Sequence, residues 1–185
     1  GNPYSHKDLK NKWRDLDIYI KGERAGEVAQ LQFVDVWNRQ IVEFPKLEKK
    51  LGMLASVEIE GDYKGAPVLF VDQFPGSAVN DSYHNIHTAI IKLFRNAQKS
   101  VDIENAYFIM DPVIRKEIEA VIKRGVKVRL FTNSEKSVDE KLISVPVLNS
   151  ARDVLAMGAE VYLRETTTLH SKYMIVDNRI AMVGS

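Results

Sequence analysis

Cysteine is absent from the 185 residues, which removes structural disulfides and thiolate metal sites and leaves the redox compartment unspecified. Net charge is nearly absent too, since 26 Lys and Arg stand against 25 Asp and Glu. A chain so balanced makes no global electrostatic case for nucleic acid or an anionic membrane, so any anion site must be local. Long apolar runs are also missing. None reaches the length of a membrane span, and no charged-then-apolar signal segment stands at the start. What remains is globular in character, with 45% apolar and 28% charged residues. The length suits one substantial domain, or one domain plus part of another.

Along the chain, residues 13 to 22 alternate. Leu16, Ile18 and Ile20 share one face and Asp15, Asp17 and Tyr19 the other, so the spacing predicts a strand ended by Gly22. Residues 24 to 38 carry Ala25, Val28, Ala29, Gln32, Phe33, Val36 and Trp37 at helical spacing, which predicts one buried stripe. Residues 39 to 66 are the least patterned, a lysine-rich connector with a short strand expected near Ser56–Ile59. Pro67 to Asp72 reads as a short buried strand.

An alternating rhythm follows. Asn80, Asp81 or Ser82 is placed to cap a helix whose stripe is Ile86, Ala89, Ile90, Leu93, Phe94 and Ala97. A strand is expected over 101–109. Asp111-Pro112 opens a helix closed by Gly125, and a strand over 126–131 ends in Thr132-Asn133-Ser134. A helix from Pro146 to Met157, capped by Gly158, precedes a strand over 160–163 and a closing hairpin. Strands and helices alternating at these lengths predict an α/β fold, with a largely parallel sheet covered by helices on both faces.

The final seventeen residues concentrate the chemistry. His170 and Lys172 share strand parity, about 7 Å apart along the chain, which sets a titratable imidazole beside a fixed positive charge. That pairing suits an anionic substrate. Asp177 has the opposite parity, and Asp177-Asn178 reads as a hairpin turn, which points away from direct chemistry for that aspartate. Taken alone, His-x-Lys on a strand is ordinary surface decoration. His84 and His87 stand three apart on one helix face, a metal-compatible spacing with no clustered Asp, Glu or Cys beside it, so no metal is called for. Asn133 and Ser134, at a strand end, fit either an anion contact or a turn cap.

The whole string from His170 to Ser185, His-x-Lys-x4-Asp-x6-Gly-Ser, resembles the signature of the phospholipase D superfamily. Ala106 to Pro112, Lys123 to Val128 with Thr132-Asn133-Ser134, and Trp13 to Asp17 with the helix to Trp37-Asn38 resemble its bacterial cardiolipin-synthase-like branch. The resemblance implies that residues 1–66 hold the end of a first repeat plus a connector. Residues 67–185 would then be a second repeat, truncated at its end, so the chain would run from just after the first catalytic motif to just inside the end of the second. It further implies phosphodiester transfer or hydrolysis on phospholipids through a phosphohistidine, without a cofactor. One motif's histidine attacks phosphorus and the other protonates the leaving group. Family order makes His170 the acid and then the base, with Lys172 on the phosphoryl oxygens and Ser185 as a further hydroxyl donor.

The positions carried over as catalytic are therefore His170, Lys172, Asp177 and Asp15, with Asp177 expected to serve structure. Asp15 matches the family acid that orients the first-motif histidine, with Asp17 as the fallback and an ordinary pairing with Arg14 or a lysine as the bland alternative. The acid for His170 is expected beyond residue 185. Glu104, Asn105 and Tyr107 are candidate substrate contacts near the sheet's carboxyl edge, although residues such as Tyr107 and Phe108 are more often core. The implied partners are a phospholipid and a missing first-motif segment, from the same protein or a second subunit. Nucleic acid is the alternative substrate, mildly disfavoured by the near-neutral charge; a folded half-site without turnover is the other alternative. Localisation stays open in the sequence, and the resemblance implies a bacterial inner-membrane-associated or cytoplasmic protein.

Overall fold

Branched and apolar residues at alternate positions drive the central sheet. The computed structural model describes residues 13–22, 25–43, 46, 52, 53, 55, 67–71 and 85–184. Its strands are β1 (Trp13–Arg14), β2 (Ser100–Asn105), β3 (Lys127–Asn133), β4 (Glu160–Arg164), β5 (Thr168–Leu169), β6 (Lys172–Val176) and β7 (Ile180–Gly184). Its helices are α1 (Ala25–Glu43), α2 (Asn85–Asn96), α3 (Pro112–Lys123) and α4 (Ser144–Ala156), the last preceded by a 3₁₀ turn at Lys141–Ile143. The chain divides into two compact units, one of residues 1–18 and 91–185 and the other of residues 19–90.

In the first unit, five strands order as β4-β3-β2-β6-β7. β2, β3 and β4 pair in parallel, whereas β6 runs antiparallel to β2 and β7 antiparallel to β6. The sheet is thus mixed and flanked by helices, with its parallel half contributed by β2-α3-β3-α4-β4. Register explains the core. Val101 pairs with Val128 and Val176, and Ile103 with Leu130 and Met174, so all six side chains share one face and all are buried. Burying a side chain such as Leu130 contributes about 2 kcal/mol. Ile118 and Val121 of α3 and Val147, Ala151 and Val154 of α4 add to that core.

Local signals set the boundaries. Asp111 accepts from the backbone N–H of Val113 at 2.7 Å and of Ile114 at 3.0 Å, and Pro112 follows as the first helical residue. Gly125 (φ +81°) and Gly158 (φ +103°) take the left-handed conformation that ends α3 and α4. α2 buries Phe94 and leaves Ile86, Ala89, Ile90 and Leu93 half-buried, as its stripe predicts; its expected caps at 80–82 lie outside the described residues. Among the described residues no helix is long and apolar enough to cross a membrane.

Several expectations are corrected. Only Trp13 and Arg14 form a strand in the 13–22 stretch, because only they find a partner; Leu16 and Ile18 are exposed and Tyr19 is 87% exposed. In the second unit, α1 extends to Glu43 and buries Val34 and Ile41, which stand seven apart on a neighbouring stripe. Phe33 is exposed, with its ring 5.9 Å from that of Trp37. The Trp37 indole donates to the Gly52 carbonyl at 3.1 Å. Residues 67–71 form no strand, and Leu69 is 83% exposed. Residues 56–59 lie outside the described residues. β2 stops at Asn105 rather than residue 109, and β3 runs on to Asn133. α4 and its 3₁₀ turn start upstream of Pro146.

Candidate active site

The site forms where the chain leaves β5 and enters β6. β1 lies parallel to β5, with Trp13 opposite Thr168 and Arg14 opposite Leu169. The Arg14 carbonyl then accepts from both His170 N–H at 2.7 Å and Ser171 N–H at 3.1 Å. These bonds replace a continuous strand, so His170 and Ser171 sit at a corner between two strands rather than within one. The corner also brings the residue after Arg14 alongside His170. Asp15 Oδ2 lies 2.8 Å from His170 Nδ1.

Among the described residues, His170 meets Asp15, where its acid was expected beyond residue 185 and Asp15 was expected to serve another histidine. The Asp15 carboxyl is pushed up by partial burial, but the His170 bond, the Leu16 N–H and the charges of His170 and Lys172 outweigh this and hold it below the usual carboxylate range. An ionised carboxylate only accepts hydrogen bonds, so Nδ1 carries the proton and Nε2 is left for chemistry. The Trp13 ring stacks on the imidazole, 4.3 Å between centroids at 16°, and Tyr107 meets it edge-on at 6.2 Å. His170 is thereby held in its plane as well as at one nitrogen.

Lys172 stands beside it. Its Nζ donates to the His170 carbonyl and lies 5.5 Å from the centre of the Tyr107 ring. Burial pulls the Lys172 pKa below the ordinary lysine value, partly offset by Asp15 and Asp139. Tyr107 reaches the site because Asn105 Oδ1 accepts from Tyr107 N–H at 2.9 Å, turning the chain at the end of β2. The Tyr107 hydroxyl donates to Asp139 Oδ1 at 2.7 Å, and burial followed by that carboxylate raises the phenol's pKa. Asn105 therefore acts on the backbone, and Tyr107 stands in the site wall; Phe108 is the core residue of the pair.

Glu104, an expected substrate contact, has its carboxylate engaged by protein groups. Its side chain is 5% exposed and lies beneath the site, where it takes an ion pair from Arg14 and hydrogen bonds from the hydroxyls of Ser171 and Tyr173. Asn133 is buried as well. Its amide donates to the carbonyls of Ala106 and Leu169 at 2.9 and 2.8 Å, and its oxygen accepts from Leu169 N–H at 2.9 Å. It ties β5 to the ends of β2 and β3, the capping alternative rather than the anion contact. Ser134 likewise serves the turn after β3, accepting from Lys136 N–H at 3.2 Å.

Asp177 stands just past the opposite end of β6 from this corner. Its carboxylate accepts from the backbone N–H groups of Gln98, Lys99 and Ser100 at 3.0, 2.7 and 3.0 Å, which lower its pKa. Asp177 and Asn178 both have φ +55°, the backbone of a two-residue hairpin turn. Ser185 and His84 lie outside the described residues. Among the described residues no cluster of His, Asp and Glu is arranged to hold a metal ion.

Sequence reasoning missed Trp13, Ser171, Tyr173 and Asp139. Trp13 has the parity of Asp15, which was a usable signal. Asp139 had none, because it comes from a loop 32 residues from Tyr107.

The family described as "Cardiolipin synthase, PLD-like domain" matches residues 90–185. Cardiolipin synthase 1 of Staphylococcus aureus is 29% identical over 194 residues, covering 100% of this chain and 36% of its own. Cardiolipin synthase 2 of Bacillus cereus is 28% identical over 180 residues, covering 95% of this chain and 33% of its own. The chain thus spans about a third of the length of the curated relatives it matches. Among solved structures, the phospholipase D family member Nuc from Salmonella typhimurium is similar over 57% of this chain and 66% of its own, at 22% identity and a TM-score of 0.45.

Proposed function

Since the chain belongs to the cardiolipin-synthase family of PLD-like domains, we propose that it supplies one half of an active site for phosphodiester transfer or hydrolysis on phospholipids. The observation that carries this reading is the His170 corner, an imidazole fixed at Nδ1 by Asp15, stacked on Trp13 and flanked by the Lys172 ammonium. Residues 67–185 would be the second of two repeats. The other histidine would come from a first-motif segment of the same protein or from a second subunit.

In this mechanism the partner histidine attacks phosphorus and forms a phosphohistidine while the bond to the leaving oxygen breaks. His170 enters the step as the imidazolium. Its Nδ1–H stays on Asp15, and its Nε2–H passes to the leaving alkoxide. The neutral ring that results bears a lone pair on Nε2. That lone pair takes the proton of an incoming alcohol or water, whose oxygen attacks phosphorus and releases the partner histidine. Lys172 offsets charge on the non-bridging oxygens throughout. An alcohol acceptor gives a new phosphodiester, and water gives the phosphatidic acid.

The test uses the complete protein and labelled phosphatidylglycerol, with cardiolipin and phosphatidic acid as products. Turnover that disappears in His170→Ala is the expected result. Lipid turnover that survives this substitution refutes the role of His170, and nuclease activity without lipid turnover moves the substrate to nucleic acid. Turnover by residues 1–185 alone would mean that two copies pair their corners.

A further inference from the structure

A buried carboxylate lies under the site and takes no part in the steps above. Glu104, near the end of β2, is the charged residue that is buried among the described residues, and it meets three partners at once. Arg14 pairs with its Oε1, Ser171 donates to the same oxygen, and Tyr173 donates to Oε2 at 2.9 Å. Arg14 Nη1 also reaches Ser171 Oγ at 3.3 Å, which closes a ring of polar contacts. Burial pulls the Arg14 pKa down, but the charge and hydrogen bond of Glu104 outweigh it and leave the guanidinium more firmly protonated than usual. Burial and Glu104 together raise the Tyr173 phenol, so it stays a donor.

The partners of Glu104 are the sequence neighbours of the chemistry. Ser171 stands between His170 and Lys172, Tyr173 follows Lys172, and Arg14 precedes Asp15. One carboxylate therefore grips both chain segments whose adjacent residues make the His170–Asp15 contact. A two-residue strand pairing such as β1 with β5 has little stability by itself. The ionic tie gives that short strap a fixed register.

We propose that Glu104 is a positioning residue, which sets the His170–Asp15 geometry by clamping Arg14, Ser171 and Tyr173 from below without touching substrate. The proposal goes beyond the reading of His170 as an acid and base, and only its kinetic arm rests on that reading. The clamp acts through the distance between Nδ1 and Oδ2, so its removal changes the orientation of the imidazole rather than the binding of lipid.

Two measurements separate positioning from simple support of the fold. In residues 1–185, the His170 Nδ1 proton should give a downfield proton resonance that is lost in Asp15→Asn. Glu104→Gln should weaken or abolish the same resonance while circular dichroism and the melting profile keep a folded chain. In the complete protein, Glu104→Gln should lower kcat roughly 10- to 100-fold, the range typical of groups that orient a reactive side chain, with KM within about twofold. Ser171→Ala removes one bond of the clamp and should give a smaller loss of the same kind. If Glu104→Gln fails to fold, Ser171→Ala decides. Retention of the resonance in whichever of the two folds overturns the proposal, even if the complete protein turns out to act on another substrate. An unchanged kcat in a complete protein that turns over lipid overturns it as well.

Discussion

Strand β6 has two unlike ends. At its start, Lys172 adjoins a corner where His170, Asp15, Trp13 and Tyr107 meet from three separate stretches of chain. At its finish, Asp177 turns the chain and satisfies three backbone N–H groups of one short segment, 98–100. Both ends hold an aspartate with a lowered pKa, but for different reasons. The Asp15 carboxyl is lowered by a titratable ring and nearby charge, against the effect of burial. That of Asp177 is lowered by fixed amide donors. The difference separates the two by surroundings: Asp15 faces a ring that can exchange a proton, and Asp177 faces backbone amides that cannot.

The sharpest way to break this comparison is at the corner. His170→Ala in the complete protein should lower phospholipid turnover by about 10²- to 10⁴-fold, the span of general acid–base catalysis, with little change in melting temperature. A variant that keeps its turnover would remove the chemical end altogether. Next, Asp15→Asn should cost roughly 10- to 100-fold in kcat, since its amide holds the ring less firmly; an unchanged kcat would make the contact ornamental.

A pH measurement sharpens the same end. Burial places the folded pKa of Lys172 below its ordinary value. Its charge, and phosphoryl binding with it, should therefore be lost on the alkaline side earlier than for an exposed lysine. The folded state disfavours protonated Lys172, so this group's contribution improves as pH rises through the folded pKa toward the unfolded one. Lys172→Arg, always charged, should move the alkaline fall in binding upward; an identical alkaline limb would assign the titration to another group.

The smallest effect belongs to the hairpin. Asp177 has a depressed folded pKa, so its stabilisation is fully present above the unfolded carboxylate value of about 3.9 and is lost as pH falls through the folded one. Asp177→Asn should lower the melting temperature by a few degrees at neutral pH, with the gap to the parent closing on acidification. Lower turnover at an unchanged melting temperature would instead move Asp177 to the chemical end.

The helices α2 and α3 and the hairpin were legible in sequence because their signals are local. Asp111-Pro112, Gly125 and Asp177-Asn178 each act within a few residues, and the stripe ending in Phe94 needs only helical periodicity. The alternation at Leu16, Ile18 and Ile20 misled for the opposite reason. A strand exists only where a second strand pairs with it, and the pairing with β5 ends at Arg14. Phe33 misled similarly, since periodicity defines a stripe but the packing on α1 chose the stripe of Val34 and Ile41.

The same division runs through the site. His170, Lys172 and the turn at Asp177 were legible in the sequence itself, because their types and spacing along the chain carry the resemblance. That Asp15 Oδ2 meets His170 Nδ1, that Glu104 is buried against Arg14, Ser171 and Tyr173, and that Trp13 stacks on the imidazole were decided only by tertiary structure. Each depends on two segments separated by tens to more than a hundred residues. The bonds that join them, from Arg14 to Glu104 and from His170 N–H to the Arg14 carbonyl, exist only once the sheet has closed.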